Sequence, residues 1–350
     1  MTGVQTCALP ISLGALAYAS ALLGWRPVEQ LRIGSETLAR VLGVDRDDDF
    51  PGRRADVGRE EPELLLALDL GGGAAPHAPA ALRDVAATAV WQGVASIVDP
   101  HPMFRWPLID EVALATRRPD DSGLPAIAAG LPRAQPAARI LGRRSAQRFD
   151  AAHVMSAAAF GQLLAALAGE AETRLSLLFF VHRVEGMEAG VYLLPRGPWG
   201  PALVDGLGEC AAPVLPVGEG PLLHLPTLAP LALRRVARSL HCHQDIASTA
   251  CLALGMLAPL GPLVARHPAA YRDVLREAGL LGQRLYLEAE AMGLRGTGIG
   301  CFFDDPVREA AAITTPDFQS LYHFTIGMPV DDERIETTPA YPALAERSRP

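Results

Sequence analysis

The sequence predicts an α+β fold for its C-terminal half, and three features of the chain indicate this class. The apolar stretches 175–184 and 190–196 are separated by the turn-forming residues 185–189, a pattern that is typical of a β-hairpin. Residues 271–294 carry small and apolar side chains at three- and four-residue spacing, which predicts a long helix with one closely packable face. The apolar stretch 321–327 ends in glycine and predicts a last strand.

Shorter elements are predicted around these three. A helix is expected near 156–168, before the hairpin. After the long helix, the sequence RGTGIG (295–300) predicts a glycine turn, and the acidic residues that open 304–313 predict another helix.

The uncharged stretch 246–265 is long enough to span a bilayer. Its content of Pro259, Pro262 and polar residues argues against a membrane helix. We therefore predict a buried helix over 245–257 that breaks at the two prolines.

The chain contains a degenerate internal repeat, because the order of predicted elements in 271–327 recurs in 14–71. Residues 2–11 match the conceptual translation of a common sequencing adapter, so we expect them to be an artefact and dispensable for folding. The predicted segments are 1–12 as this artefact, 13–71 as the C-terminal half of a degenerate copy, 72–136 as an Ala/Pro/Gly-rich linker anchored by Trp91, Phe104 and Trp106, and 137–350 as the complete domain.

The charge balance excludes several classes of function. The 31 basic and 39 acidic residues give a formal net charge of −8, so no global basic field exists to hold nucleic acid or an anionic membrane. All of the basic residues are arginine. This excludes Schiff-base lysines, P-loop lysines and lysine general bases, and leaves a cation that is suited to phosphate.

The five cysteines are an odd number and show neither CxxC nor paired metal spacing. This usage favours a reducing compartment, and we predict a cytoplasmic protein without a metal. His241-Cys242-His243 invites a metal interpretation, but no second cluster accompanies it. We interpret it as an ordinary helix start.

Several motifs, taken in order along the chain, carry a family resemblance. Arg143-Arg144-Ser145, followed by Phe149-Asp150, resembles the RRSxRxFD opening of the FMN-dependent nitroreductase superfamily. Residues 277–305 resemble its dimer-interface helix and flavin-edge loop, and 321–329 resemble its last core strand. The GVYLL hairpin and 91–119 are similar to the SagB/ThcOx-type dehydrogenase branch. The resemblance implies a nitroreductase-like FMN fold with an antiparallel-rich mixed sheet wrapped by long helices.

The resemblance implies site roles where residues match. Arg143 and Arg144 would contact the FMN phosphate and ribityl chain, and Ser145 would add a hydroxyl contact. Arg334 lies near the position of a second phosphate cation. The flavin edge would be lined by Ile299, Gly300, Cys301 and Phe302, whose backbone N–H groups would stabilise negative charge on the reduced flavin. No catalytic side chain is assigned.

The sequence departs from the family pattern in three places. Gln147, which we keep among the cofactor-binding candidates, stands where the family usually has arginine or lysine. The Pro-Ser-rich loop that normally precedes the 175–184 strand is absent. A lysine-free chain cannot contain the lysine-tyrosine pair of azoline-oxidising members.

Structural interpretations compete with these functional ones. The arginine pair is also typical of a solvated approach to a helix. The glycines at 296, 298 and 300 suggest a dinucleotide-binding turn, but they follow a helix rather than a strand. Cys301 is interpreted as a small packed residue, with a redox thiol as the alternative.

Two histidines and two carboxylates are also interpreted structurally. His182 and His323 lie in apolar strands and are predicted to be satisfied core histidines. Glu288 and Glu290 suggest an acid–base pair, but residues two apart on a helix point to different faces.

The resemblance therefore implies an FMN-dependent oxidoreductase that transfers a hydride through flavin N5, with NAD(P)H as a candidate electron donor. A small-molecule or peptide-derived substrate is expected, together with a homodimer or an intrachain pseudo-dimer and no nucleic acid or membrane partner. The alternative is a flavin-free scaffold or peptide-binding partner with the same fold.

Overall fold

The computed structural model describes residues 3–49, 60–73, 76–92, 104, 106–122, 134–168, 172–207, 211–218, 220–338 and 340–341, with backbone alone for 3–10 and 47. The chain divides into two compact units. The first contains Met1–Leu22, Ala128–Leu263 and Asp273–Pro350, and the second contains Leu23–Ile127 and Val264–Arg272.

The elements are given in chain order. The helices are α1 (Gly3–Leu22), α2 (Ser35–Leu42), α3 (Pro79–Thr88), α4 (Pro107–Ala115), α5 (Ala137–Gly142), α6 (Ala157–Leu167), α7 (Gly200–Asp205), α8 (Pro230–Leu240), α9 (Ile246–Thr249), α10 (Leu260–Arg266), α11 (Ala270–Ala291) and α12 (Asp304–Ala310). The strands are β1 (Arg26–Glu29), β2 (Leu66–Asp69), β3 (Ser176–Val181), β4 (Gly190–Leu194), β5 (Ala212–Val217), β6 (Gly220–Leu225), β7 (Leu252–Ala258), β8 (Arg295–Ile299) and β9 (Gln319–Gly327). Of the described helices, none is both long and apolar enough to cross a membrane.

The first unit is built on a seven-stranded sheet with the order β5-β6-β4-β3-β7-β9-β8. Every strand pairing in it is antiparallel. Strands β3 and β7 are buried along their whole length. Because side chains alternate across a strand, β3 contributes to the packing on both faces of the sheet. Phe180 packs in the core that includes Leu233 of α8, while Phe179 contacts Phe160 of α6. The α+β prediction is confirmed.

The predicted helix over 245–257 is wrong. The chain forms the short helix α9 and then enters β7, which pairs with β3 on one side and β9 on the other. A strand that is covered on both faces carries an uninterrupted apolar run, and such a run has the same hydrophobicity pattern as a buried helix.

The predicted glycine turn over 295–300 is also wrong, because residues 295–299 form the edge strand β8. Glycine is needed there for space. A Cβ atom on Gly296 would lie 2.4 Å from the Phe324 ring, and one on Gly298 would lie 1.8 Å from the Tyr322 hydroxyl. The aromatic side chains of β9 thus occupy the volume that side chains on β8 would need.

The other elements agree with the sequence predictions. The hairpin forms as β3 and β4, the last strand as β9, and the helices near 156–168 and 304–313 as α6 and α12. The long helix forms as α11, whose face of Leu275, Ala278, Gly282, Leu285 and Ala289 is buried. A Cβ atom on Gly14 of α1 would lie 2.7 Å from the Gln283 side chain, so these two helices are in close contact.

The second unit contains the β1–β2 pair and the helices α2 to α4. Asp120 accepts hydrogen bonds from the Gly34 backbone (2.6 Å) and the Thr37 hydroxyl (2.7 Å), and it is ion-paired with Arg83. The three aromatic residues expected as anchors, Trp91, Phe104 and Trp106, are all exposed. Within the predicted linker 72–136, two short segments are helical, α3 and α4, and the assignment of this stretch as a linker stays a prediction.

Candidate functional site

The segment 143–149, which contains the arginine pair, lies against the edge of β8 that does not pair with β9. The backbone N–H of Ala146 donates to the Gly296 carbonyl (3.1 Å), and the Thr297 hydroxyl donates to the Ala146 carbonyl (2.7 Å). Farther along, buried Phe149 packs against Gly327, where a Cβ atom would lie 2.9 Å from the phenylalanine ring. The structure therefore places Ala146, within the predicted segment 143–147, beside β8, the strand whose last residue is Ile299 and which leads into the other predicted residues, 300–302.

Tyr286 of α11 connects these regions. Its hydroxyl group accepts a hydrogen bond from the Gly298 backbone (2.9 Å) and shares another with the Ser145 hydroxyl (3.0 Å). The Arg143 guanidinium lies 4.6 Å from the centre of the tyrosine ring, which is within cation–π range. The ring also makes an edge contact with Phe324 at 4.7 Å. Tyr286 therefore fixes Arg143 and Ser145 relative to β8.

The two neighbouring arginines differ in their hydrogen bonding. Arg144 donates from its guanidinium to the carbonyl groups of Leu141 (3.0 Å), Arg143 (2.9 Å) and Thr338 (3.2 Å). The Arg143 guanidinium, by contrast, meets no hydrogen-bond acceptor among the described residues, although it is half-buried. The guanidinium donors of Arg143 are thus uncommitted among the described residues, whereas those of Arg144 are bonded to backbone carbonyl groups.

The segment after β8 supplies further donors. Ile299 is buried and is the last residue of β8, rather than part of a loop as expected. The backbone N–H groups of Gly300, Cys301 and Phe302 have no acceptor among the residues that the structure describes. Three consecutive N–H groups are therefore available to a ligand that lies along this segment.

Phe302 is held by stacking on His323, with ring centroids 4.1 Å apart and an interplanar angle of 23°. Cys301 is not a free packed residue, because it forms a disulfide bond with Cys242. Cys242 follows the end of α8, so the expectation that 241–243 starts a helix is wrong.

A chain of buried polar side chains lies behind Phe302. The Ala237 carbonyl can only accept, so the 2.5 Å contact from Nδ1 of His241 places a proton on that nitrogen. Nε2 of the neutral His241 then accepts from Nδ1 of His323 (2.7 Å), and Nε2 of His323 accepts from the Ser320 hydroxyl (2.6 Å). All three side chains are buried and each is satisfied in its neutral form.

Burial determines the charge state of these histidines. It lowers the pKa of His241 from its ordinary value of 6.5 to about 4, and it holds the pKa of His323 well below 6.5. The prediction that His323 is a satisfied core histidine agrees with this geometry.

His182 is satisfied at only one nitrogen. Nε2 lies 2.9 Å from the Ala247 carbonyl, while Nδ1 is buried with no partner among the described residues. The prediction of a satisfied histidine is therefore wrong for Nδ1. Burial is the first cause that lowers the pKa of His182 to about 4, and the charge of Arg183 acts in the same direction.

The remaining predicted site residues are outside this arrangement. Gln147 is exposed, and no described residue bonds to its side chain. Arg334 is exposed and ion-paired with Asp332 at 2.6 Å. Glu288 accepts from Gln135 (3.2 Å), while Glu290 accepts from the Arg144 backbone (3.2 Å), so the two carboxylates have separate structural partners.

Sequence reasoning missed Tyr286, Ser320 and the Cys242–Cys301 pair, and it considered His241 without anticipating its contact with His323. Tyr286 lies in an ordinary amphipathic helix, and Cys242 and Cys301 are 59 residues apart, so no local pattern indicates either contact. Within the described ranges, no group of three or more His, Cys, Asp or Glu side chains is placed to hold a metal ion.

Comparison with solved structures identifies the fold. The chain is similar to a protein from Anabaena variabilis described as a nitroreductase, with a TM-score of 0.58 and 18% sequence identity over 92% of this chain and 64% of that one. This chain thus spans less than two thirds of the length of that protein. Matches with lower TM-scores include the Escherichia coli microcin synthetase McbBCD complex (0.40, 14% identity, 83% of this chain and 94% of that chain) and an FMN complex from Exiguobacterium sibiricum (0.36, 14% identity, 61% and 96%).

The chain has the nitroreductase fold. At the level of the fold, this confirms the resemblance that the sequence motifs indicated. No protein-family profile and no curated protein sequence matches the chain.

Proposed function

We propose that the protein binds FMN along the outer edge of β8 and acts as an FMN-dependent oxidoreductase, and that it belongs to the SagB/ThcOx-type branch that its motifs resemble. The observation that carries this proposal is that two sets of uncommitted donors lie near the C-terminal end of β8. Arg143 lies on the ring of Tyr286, whose hydroxyl group is bonded to Gly298, and the N–H groups of 300–302 follow directly after the last residue of β8.

The chemistry of these donors favours a ligand that combines a phosphate with a group of hydrogen-bond acceptors. Tyr286, which carries Arg143 on its ring, is bonded to Gly298, and only Ile299 separates Gly298 from the N–H groups that begin at Gly300. A half-buried arginine without a carboxylate partner suits a dianionic phosphate. FMN joins a phosphate to a planar ring through a flexible chain, and the donor set fits such a molecule.

When it is bound, FMN supplies two-electron hydride chemistry at its ring. The protein's own residues bind and orient it. Arg143 contacts the phosphate, Tyr286 holds Arg143 and Ser145 in position, and the backbone N–H groups of 300–302 stabilise negative charge at the ring edge. Tyr286 is a positioning residue in this scheme.

Flavin binding is the direct test of this proposal. The protein is titrated with FMN and with riboflavin, which lacks the phosphate, and binding is followed by flavin fluorescence. We expect FMN to bind at least about tenfold more tightly than riboflavin, since a charge-assisted contact contributes about 1.5–3 kcal/mol. Equal affinity for the two flavins would contradict a phosphate site at Arg143, and absence of binding to both would overturn the proposal.

Electron transfer is tested separately under anaerobic conditions. With FMN bound, NADH or NADPH is expected to bleach the flavin, and an artificial acceptor is expected to restore its absorbance. Bleaching by neither nucleotide, combined with reduction by an organic substrate, would favour a dehydrogenase over an NAD(P)H-dependent reductase.

The second candidate is a flavin-free scaffold or peptide-binding partner. The hydrogen bonds of Arg144 favour it, because three carbonyl groups occupy donors that a phosphate would need. Gln147 and the exposed Arg334–Asp332 pair add no phosphate contact. Retention of the folded structure without measurable flavin binding would select this candidate.

The substrate and assembly are also part of the proposal. We expect a small-molecule or peptide-derived substrate, and a flavin site that is completed in a homodimer or in an intrachain pseudo-dimer, as the resemblance implies. Light scattering of the FMN-loaded protein distinguishes the two assemblies, since the first doubles the molecular mass of the single chain.

A further inference from the structure

The segment after β8 is fastened to the end of α8 at several points. The disulfide bond joins Cys242 to Cys301. The Phe303 backbone donates to the Leu240 carbonyl (2.8 Å), and the Gln244 side chain donates to the Cys301 carbonyl (3.3 Å). Of these three contacts only the disulfide is covalent, so we expect it to be the strongest restraint on the position of this segment relative to α8.

The backbone at one end of the disulfide is strained. Cys242 and His243 both adopt left-handed conformations, with φ of 52° and 58°. Such values are unfavourable for residues with a Cβ atom, and they persist where surrounding contacts impose them. Loss of the covalent contact therefore removes one of the restraints that keep 242–243 in this conformation.

The disulfide is more accessible to a reducing thiol than the free cysteine Cys251 is. Cys242 and Cys301 are partly exposed, whereas the free Cys251 is completely buried in the sheet. Thiol–disulfide exchange requires a thiolate to reach a disulfide sulfur, so access decides which cysteines react.

We propose that Cys242–Cys301 is a redox-active pair whose reduction by a dithiol loosens the 300–303 segment and weakens the flavin site. The first thiolate of the reductant attacks one sulfur and forms a mixed disulfide, and its second thiol then displaces that bond. The reductant leaves as a disulfide, and two electrons and two protons have passed to Cys242 and Cys301. The effect on flavin rests on the proposed function, while the redox reaction itself does not.

The pairing is tested by peptide mapping. The chain has no lysine, so trypsin cleaves only after arginine and places Cys242 and Cys251 in peptide 239–266 and Cys301 in peptide 296–308. We expect these peptides to be linked after mild oxidation and separated after treatment with dithiothreitol. The link should persist in Cys251→Ser and disappear in Cys242→Ser. Oxidised protein without the linked peptides, or a link that disappears in Cys251→Ser, would overturn the proposal.

The loosening is tested by hydrogen exchange, which needs no flavin. The amides of Phe303 and Gln244 are hydrogen-bonded in the structure, so they report on the fastening. We expect them to exchange about tenfold or more faster after reduction, and Cys301→Ser to behave like the reduced protein whatever the redox conditions. The matched control Cys251→Ser should keep the response to dithiothreitol. Equal exchange in the two redox states would overturn the proposal.

FMN titration of the oxidised and reduced proteins tests whether the redox state of Cys242 and Cys301 affects flavin binding. Binding about tenfold weaker in the reduced form supports the proposal, and equal binding overturns the regulation of the site. If neither form binds FMN while exchange still responds to reduction, the proposed function fails and the redox-controlled fastening stands.

Discussion

Acid is expected to destabilise the protein between pH 7 and pH 5, because His182 and His241 are buried in neutral form. Both have a pKa of about 4 in the folded state, against an ordinary value of 6.5. As the pH falls below 6.5, these histidines become protonated in the unfolded chain but stay neutral in the folded chain. The free energy of unfolding is therefore highest above pH 6.5 and decreases progressively towards pH 4.

The size of the loss follows from the two pKa values. At pH 5 the unfolded state gains about 2 kcal/mol per histidine relative to pH 7, while the folded state gains almost nothing. The two residues together account for about 4 kcal/mol, and His323 acts in the same direction. A typical domain has a total stability of about 5–15 kcal/mol, so the effect is large.

Urea unfolding followed by circular dichroism measures this loss at pH 7 and pH 5. His182 is the better target for substitution, because it makes a single side-chain hydrogen bond and stands outside the His241–His323–Ser320 chain. In His182→Gln the loss between the two pH values should shrink by about 2 kcal/mol. The exposed His243 provides the matched control, and His243→Gln should lose as much as the wild type. Equal losses in His182→Gln and the wild type would refute the reasoning.

Three further substitutions have defined expectations. Arg143→Ala should weaken FMN binding about ten- to a hundredfold and leave riboflavin binding unchanged, whereas the exposed Arg235→Ala should alter neither, as measured by titration. Tyr286→Phe keeps the ring under Arg143 but removes the hydroxyl contacts to Ser145 and Gly298, so urea unfolding should show a loss of about 1–2 kcal/mol and FMN should bind several-fold more weakly. Phe324→Ala opens a cavity beneath β8 and should cost about 3–5 kcal/mol, and a loss below about 1 kcal/mol would contradict this packing.

Local patterns were sufficient to predict some elements of the fold. The hairpin of β3 and β4 has two apolar runs separated by a turn, and α11 has a long periodic face, so both could be read directly. β7 could not, because burial on both faces removes the alternation that identifies a strand. β8 has the composition of a turn, and it is a strand only because β9 presents Tyr322 and Phe324 where glycine leaves room.

The candidate site likewise contains residues that could be predicted from the sequence and residues that could not. The resemblance implied site roles for 143–145 and 299–302. The structure places Arg143 and Ser145 against Tyr286, which is bonded to β8, and it places 300–302 directly after that strand. The residues that organise them come from elsewhere in the chain: Tyr286 is 141 positions from Ser145, and His241 is 82 positions from His323. Contacts at such separations leave no periodic signal and depend on how the helices and strands are packed.

The position of β9 between β7 and β8 has a consequence for synthesis on the ribosome. β9 is the last described strand to leave the ribosome, and it is a neighbour of both β7 and β8. Until it emerges, one edge of the apolar strand β7 has no partner, although β3 is already available on the other side. An open edge of this kind invites pairing with other chains, so the interval between translation of β7 and of β9 is when nascent copies are most exposed to aggregation. Slower elongation across 260–318 would lengthen that interval, and a chaperone that covers β7 would protect the nascent chain until β9 is inserted.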